Sequence, residues 1–186
     1  MTAVNVPTSY SDAAPRLAPD HDLSSQPWMA VWTRSRHEQV VRDHLQRKGI
    51  EVFLPLVTRW SRRRDRRCKV DWPLFPGYCF ARFTREHRLS VLGSPGVVCL
   101  VSFDGQPACI PDQEIAGIRR LLATGLQYDA LPSIPAGMRA RVIAGPLAGV
   151  VGLVMRRGSN TRLVLSVELI HAAVSVEVDA RDVCRA

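Results

Sequence analysis

The spacing of hydrophobic and polar positions changes several times along the chain, and each change predicts an element. Residues 28–34 (WMAVWTR) predict a half-buried first strand. A helix follows and ends at Gly49, where glycine permits a left-handed residue. Its predicted buried stripe is Val40, Val41 and Leu45, with His44 on the same side. Ser35 and Glu38 have the spacing of a capping box, in which each side chain satisfies an N–H at the helix start.

Shorter segments complete the first part of the chain. Residues 50–60 predict a second strand, and residues 59–69 predict a loop or hairpin tip that is rich in arginine. The remaining predicted elements are a strand to Phe83, a short helix over 86–92, strands over 97–103 and 106–110, and a helix from Asp112, as its cap, to about Gly125. The stripe predicted for this last helix is Ile115, Ile118, Leu121 and Leu122. The order β-α-β-β-α-β-β-α predicts an α+β fold, with an antiparallel sheet flanked by helices.

The periodicity divides the chain into parts. Residues 1–27 are rich in Ala, Pro, Ser and Asp and have no apolar core segment, which favours a disordered tail over a secretory signal. The α+β domain then covers residues 28–124. Residues 125–136 lose all periodicity and contain two prolines, so they are predicted to be a linker. Residues 137–186 hold short β segments punctuated by glycines, which predict a small five-stranded SH3-like β-barrel.

Charge, cysteine content and absent motifs limit the classes of function that we expect for this protein. The net charge of +8 and the pI near 9.9 favour nucleic acid, or a protein surface beside it, as partner, although an unspecific basic surface is the alternative. The five cysteines form no CxxC pair and have no histidine at zinc spacing, so we expect a reducing cytoplasm, no disulfide and no metal. No apolar run reaches the ~18–20 residues of a membrane span. The motifs of phosphate-binding loops, nucleophile elbows and metalloproteases are absent, so we expect neither an enzyme nor a cofactor.

Two sequence blocks are the most specific features. In residues 73–80 (PLFPGYCF), a proline-bounded turn leads directly into an apolar strand. In residues 137–152 (GMRARVIAGPLAGVVG), a Gly-Pro turn joins two strands and Gly152 permits a sharp bend. The two blocks, in this order, resemble those of a NusG-type transcription factor. The Trp28 strand, the capped helix and Gly96-Val97 are part of the same resemblance. The first block resembles its N-terminal domain, up to about Gly125, and the second resembles its KOW motif.

The resemblance implies a partner. In NusG-type factors the N-terminal domain docks an apolar groove onto the clamp helices of RNA polymerase. The positions here that correspond to this groove are Trp32, Phe75, Pro76, Tyr78 and Phe80. The alternative is that the aromatic side chains are simply core, which applies above all to Phe80 and Trp28. Trp and Tyr are favoured as interface anchors because they bury much area at small entropic cost.

Residues 51–55 (EVFLP) and 73–76 (PLFP) look more like the specialised RfaH-type paralogues than the general factor. In those paralogues polar residues face the exposed non-template DNA strand. The matching positions are Arg34, His37, His44 and Arg47. The arginine run suits unspecific contact with upstream DNA or nascent RNA, and its members are Arg62, Arg63, Arg64, Arg66 and Arg67. The alternatives are that His44 is half-buried filler and that the arginines are merely solvated.

The KOW-like block departs from the general factor at two aromatic positions, which hold Leu147 and Ile170 here. The family aromatics contact Rho or a ribosomal protein, and the aliphatic residues here lack the ring contacts, which disfavours recruitment of Rho. Alternating β-branched residues over 163–178 argue against a helical alternative fold. The resemblance predicts a cytoplasmic, monomeric elongation and antitermination factor that suppresses pausing at selected operons. The alternative is a ribosome- or RNA-binding KOW protein without a polymerase role. A plain DNA-binding regulator is disfavoured, since no helix-turn-helix spacing is present.

Overall fold

The structure, a computed structural model, describes residues 26–63, 66–103, 105–131, 135–157 and 160–186. Nearly all of the tail predicted over residues 1–27, and Arg64 of the arginine run, lie outside the described residues.

The first part of the chain is an antiparallel sheet with helices on both faces. Its strands are β1 (Trp28–Thr33), β2 (Glu51–Phe53), β3 (Leu56–Arg63), β4 (Arg66–Pro73), β5 (Tyr78–Arg82), β6 (Val97–Leu100), β7 (Ser102–Phe103), β8 (Gln106–Pro107) and β9 (Cys109–Ile110). Its helices are α1 (Glu38–Arg47), α2 (Arg88–Leu92), which continues a 3-10 turn at Arg85–His87, and α3 (Asp112–Thr124). The main sheet has the order β2-β5-β1-β6, and β9 also pairs with β1. The predicted α+β architecture is confirmed.

The single strand predicted over residues 50–60 is instead two strands, β2 and β3. Pro55 lies between them, and proline has no N–H to donate to a ladder. Its carbonyl accepts a hydrogen bond from the N–H of Leu74 at 2.8 Å. Strand β2 stays in the main sheet, whereas β3 pairs only with β4 and forms a separate two-stranded hairpin in the described part of the chain.

Strand β1 supplies both faces of the sheet, because successive side chains of a strand point to opposite sides. Met29 and Val31 pack in one buried cluster with Val41 of α1. Trp28 and Ala30 lie in the second cluster, which they share with α3. Because β1 is central and its side chains are buried on both faces, its sequence is apolar along most of its length.

Helix α3 is held on the sheet by packing and by cations. The guanidinium of Arg119, on this helix, lies 4.9 Å from the ring centroid of Trp28 and 4.9 Å from that of Phe53. The prediction that Asp112 caps the helix is wrong, because no side chain caps this end. Asp112 is the first residue of the helix and forms an ion pair with Arg82 at 3.0 Å. Three members of the predicted stripe are buried, namely Ile115, Ile118 and Leu121. The fourth, Leu122, is half-buried.

The capping box predicted at the start of α1 is wrong. The chain turns at Arg36, whose φ is +63°, so the residue that precedes the helix is His37 and not Ser35. No side chain caps this helix end. Glu38 is only 5% exposed, and its carboxylate accepts a hydrogen bond from the N–H of Gly77 at 2.8 Å. The predicted local contact is replaced by one across the fold.

The C-terminal part is all-β, as predicted. Its strands are β10 (Tyr128–Leu131), β11 (Met138–Val142), β12 (Val151–Arg157), β13 (Asn160–Val167), β14 (Ala172–Val178) and β15 (Val183–Arg185), with 3-10 turns at Glu168–Ile170 and Ala180–Asp182. They form a six-stranded sheet in the order β10-β14-β13-β12-β11-β15. The predicted closed five-stranded barrel is not formed by the described residues. The free edge of β14 is taken by β10, a strand that comes from the segment predicted to be a linker.

Helix α3 also packs on this second sheet. A Cβ built on Gly117 would lie 3.5 Å from Val150 and 3.8 Å from Leu165, which is ordinary van der Waals contact. The guanidinium of Arg120 donates to the carbonyl of Ala148. The Glu114 carboxylate accepts from the N–H of Glu168 at 3.2 Å. One continuous buried cluster therefore extends from β1 through α3 to β13 and β14.

Candidate functional site

Three half-buried side chains form a row across the main sheet. Trp32 of β1 lies directly opposite Tyr78 of β5 on one side and opposite Cys99 of β6 on the other. Directly opposite residues of antiparallel strands project from the same face, so the three are neighbours. Burial raises the pKa of Tyr78, with a contribution from the charge of Cys99, and burial also raises the pKa of Cys99. The row is therefore an uncharged, partly open surface at neutral pH. We call it the Trp32 row.

The turn of residues 74–77 supports one end of the Trp32 row. The carbonyl of Gly77 accepts from the N–H of Thr33 at 2.8 Å, beside Trp32. Gly77 has φ +83°, and a Cβ built there would lie 3.7 Å from Nε1 of Trp32. The backbone of the turn thus lies close to the indole in a conformation that favours glycine. Pro76 is exposed next to it.

The aromatic residues predicted to bind polymerase fall into two groups. Trp32 and Tyr78 are half-buried in the Trp32 row, with Pro76 exposed beside them. Phe75 and Phe80 are 4% and 0% exposed, and their rings pack edge to face with centroids 5.9 Å apart. These two phenylalanines therefore support the row from the core and present no open surface in this structure.

The residues predicted to face DNA lie just after β1 and on α1, which packs on the other face of the sheet from the Trp32 row. Arg34 follows β1 directly and is exposed, and its N–H donates to the carbonyl of Gly96 at 2.8 Å. His37, His44 and Arg47 are spaced three to four residues apart with Val40, so the four share one side of α1. We call these four residues the basic helix face. His37 and Arg47 are exposed, and His44 is half-buried.

Val40 corrects the predicted buried stripe of α1. It is 47% exposed and lies within the basic helix face, whereas Val41 and Leu45 are fully buried. Glu38, and not Val40, is the third buried residue of the helix beside Val41 and Leu45. An exposed valine between two histidines offers apolar contact inside a polar surface. The sequence signal was ambiguous, because Val40 and Val41 are adjacent and only one of them can face the core.

The arginine run is part of a hairpin, as one of the two sequence alternatives predicted. The ladder of β3 and β4 includes the pairs Arg62–Arg67 and Arg63–Arg66. Arg64 lies outside the described residues. The hairpin therefore carries a dense positive charge at the end remote from the main sheet.

The two C-terminal candidates, Leu147 and Ile170, are not equivalent. Leu147 is 2% exposed and belongs to the core that joins the two sheets. Ile170 is half-buried at the end of a 3-10 turn, before His171 with φ +50°. Of the two, only Ile170 has side-chain surface that a partner could contact.

Neither a metal centre nor a membrane-spanning helix is found within the described ranges. No three His, Cys, Asp or Glu side chains lie together so that they could hold a metal ion. No helix there combines the length and apolar character that crossing a membrane requires.

Comparison with known proteins gives the family. Residues 26–119, just over half of the chain, match the family model NusG, described as transcription termination factor nusG. The chain is similar to the solved structure "Domain interaction in Thermotoga maritima NusG", with 22% identity, a TM-score of 0.47, and coverage of 86% of this chain and 97% of that one. It is also similar to "Crystal Structure of MjSpt4:Spt5 complex conformation A", with 18% identity, a TM-score of 0.28, and coverage of 86% and 97%. The match over residues 26–119 includes the Trp32 row and the basic helix face, and by it the chain belongs to the NusG family of transcription factors.

Proposed function

We propose that this protein is a transcription elongation and antitermination factor that binds the clamp helices of RNA polymerase and suppresses pausing or termination. The observation that carries the proposal is the Trp32 row, an apolar, partly open strip at the end of β1, which exposed Arg34 follows directly. An apolar contact for protein thus adjoins a polar contact for nucleic acid.

The Trp32 row has the chemistry of a protein interface. Trp and Tyr bury a large area on binding and dominate the energy of many interfaces. Trp32 and Tyr78 lie side by side, and Tyr78 packs against the buried cluster that contains Phe80. Pro76 extends the surface without adding a backbone donor that would need a partner. The strip is thus preorganised to receive an apolar ridge such as a helix pair.

The basic helix face suits a single nucleic-acid strand beside the polymerase. Arg34 and Arg47 can neutralise phosphates, which gives salt-dependent affinity, and His37 and His44 can donate to base edges. We propose the non-template or upstream DNA as its target. The arginine run of the hairpin adds unspecific positive charge to the same protein.

The C-terminal sheet is proposed to be a KOW-type module that recruits a ribosomal protein or Rho. Such a partner would contact Ile170 and not Leu147, which is buried. Since both positions lack the aromatic rings of the general factor, we propose a specialised RfaH-like role at selected operons. The protein would act as a cytoplasmic monomer, without cofactor or catalysis.

Binding of the full-length protein to a reconstituted RNA polymerase elongation complex tests the proposal, with general NusG as competitor. We expect saturable binding that NusG displaces. Trp32→Ala and Tyr78→Ala should each weaken it roughly tenfold or more. Leu89→Ala is the matched control, because Leu89 is 80% exposed on α2, whose Val91 packs on the other face of the sheet. Binding to ribosomes or RNA with no affinity for polymerase would contradict the proposal and favour the KOW alternative.

A further inference from the structure

The β3–β4 hairpin carries an exposed tryptophan on a ladder of its own. The two strands pair continuously from Leu56–Pro73 to Arg63–Arg66 and, among the described residues, pair with no other strand. Trp60, in the middle of β3, is 67% exposed. A tryptophan with this exposure leaves a large apolar ring in water, which is unfavourable unless a partner covers it.

The surroundings of Trp60 are cationic. Its cross-strand partner is Lys69, whose ammonium lies 5.4 Å from the centroid of the indole. The next pair on the same side of the ladder, toward the tip, is Arg62–Arg67. The next pair toward the base is Thr58–Asp71, in which the Thr58 hydroxyl donates to the Asp71 carboxylate at 2.7 Å. The Asp71 carboxylate is therefore already hydrogen-bonded, while the ring adjoins the Lys69 ammonium.

We propose that this face of the hairpin binds single-stranded nucleic acid, with a base stacked on Trp60 and the adjacent phosphate paired with Lys69. Positive charge alone would suit any polyanion, but an open indole beside a cation specifically suits an unpaired base with its phosphate. A duplex keeps its bases stacked internally and offers Trp60 no ring. The inference extends the nucleic-acid contact of the proposed function to a second surface, and it does not require the polymerase.

The other side of the hairpin offers a matched control. Trp72 pairs with Val57, three positions along the ladder from the Trp60–Lys69 pair. Because successive side chains of a strand alternate between faces, Trp72 projects from the opposite face. It is 49% exposed, and Val57 beside it packs against the core. Trp72 is thus a second exposed tryptophan of the same hairpin that the proposal leaves without a stacking role.

Fluorescence anisotropy of labelled oligonucleotides, with the full-length protein and no polymerase, tests this site. The probes are single-stranded DNA and RNA of roughly 12 nucleotides, within the known span of single-strand sites, and the matching duplex. We expect Trp60→Ala to weaken single-strand binding roughly tenfold or more, Trp60→Phe to retain most of it, and Trp72→Ala to leave it unchanged. Lys69→Gln should lower the slope of log affinity against log salt by about 0.7. Duplex binding should be insensitive to Trp60→Ala.

The two single-stranded probes identify the source of the strand. Tighter binding of RNA would assign the site to the transcript, and tighter binding of DNA would assign it to the opened duplex. Unchanged single-strand affinity in Trp60→Ala, or an equal loss in Trp72→Ala, would overturn the inference. Because the assay contains no polymerase, its result is separate from the clamp-binding test: either can fail alone.

Discussion

The carboxylate of Glu38, the first residue of α1, accepts a hydrogen bond from the N–H of Gly77 at 2.8 Å. This bond joins the start of the basic helix face to the turn that supports the Trp32 row. Glu38 is 5% exposed, so the contact is protected from water. This hydrogen bond therefore helps to fix the two proposed binding surfaces relative to each other.

Replacing Glu38 should destabilise the fold. Glu38→Ala leaves the Gly77 N–H without its acceptor and empties a buried position, which should lower the free energy of unfolding by about 1–3 kcal/mol. Glu38→Gln keeps an acceptor oxygen and should lose less. Glu86→Ala, at an exposed position, is the control and should stay within about 0.5 kcal/mol of wild type. Urea unfolding measures all three, and equal stability of Glu38→Ala and wild type would contradict the role of this contact.

Gly96 should not tolerate a side chain. Its φ is +90°, and an added Cβ would lie 2.9 Å from the Cβ of His37 and 3.1 Å from Val41. Backbone strain and overpacking together should make Gly96→Ala less stable by about 2–5 kcal/mol. Gly49→Ala is the matched variant, with φ +75° and no atom within 4 Å, and it should lose only the strain, about 1–2 kcal/mol. Thermal unfolding compares them; similar losses would show that His37 does not pack on Gly96.

Stability should depend on pH through Glu114, between α3 and the C-terminal sheet. Burial raises the pKa of Glu114 to about 7; the charge of Glu168 adds to the rise, and the Glu168 N–H and Arg139 oppose it. Because the folded-state pKa is raised, the stabilisation is complete below the ordinary value of 4.5 and is lost as pH rises through about 7.

Glu114→Gln imitates the protonated carboxyl and keeps an acceptor for the Glu168 N–H. The variant should therefore be more stable than wild type at about pH 8, and the difference should shrink toward about pH 5. Urea titrations across this range measure the difference. A difference that stays constant with pH, or grows on acidification, would show that Glu114 is not buried at this contact.

Gly117 tests the packing of α3 on the second sheet. An alanine Cβ would make ordinary contacts with Val150 and Leu165, and alanine favours a helix over glycine, so Gly117→Ala should stabilise by about 0.5–1 kcal/mol. Gly117→Leu should overpack the same contact and destabilise by about 1–3 kcal/mol. Denaturant midpoints of the two variants measure this. A leucine variant as stable as the alanine variant would mean that α3 is not covered here.

Local patterns were sufficient to predict the elements, because period and turn residues report on the nearest neighbours in the chain. The 3.6-residue stripe of α3 and its end at Gly125, with φ +67°, follow directly from the sequence. The same holds for the turn before β5. The resemblance of residues 73–80 to the family also led to Trp32 and Tyr78, which the structure brings together.

The misses share a cause, since each depended on a distant partner. Glu38 fits a capping box by spacing, but its carboxylate accepts instead from the N–H of Gly77, which the fold brings near. Tyr128–Leu131 lacks a strand period, yet it pairs with β14 because that edge is available. The exposure of Trp60 could not be deduced from an alternating segment, because the sequence does not reveal that the hairpin leaves the main sheet.

The most direct measurement is the duration of a defined transcriptional pause in a purified polymerase system, with wild type, a Trp32→Ala/Tyr78→Ala double variant, and Leu89→Ala. The account predicts that wild type and Leu89→Ala shorten the pause equally and that the double variant has no effect at the same concentration. Shortening by the double variant equal to that of wild type would contradict the account, because the Trp32 row would then not be the surface that contacts the polymerase.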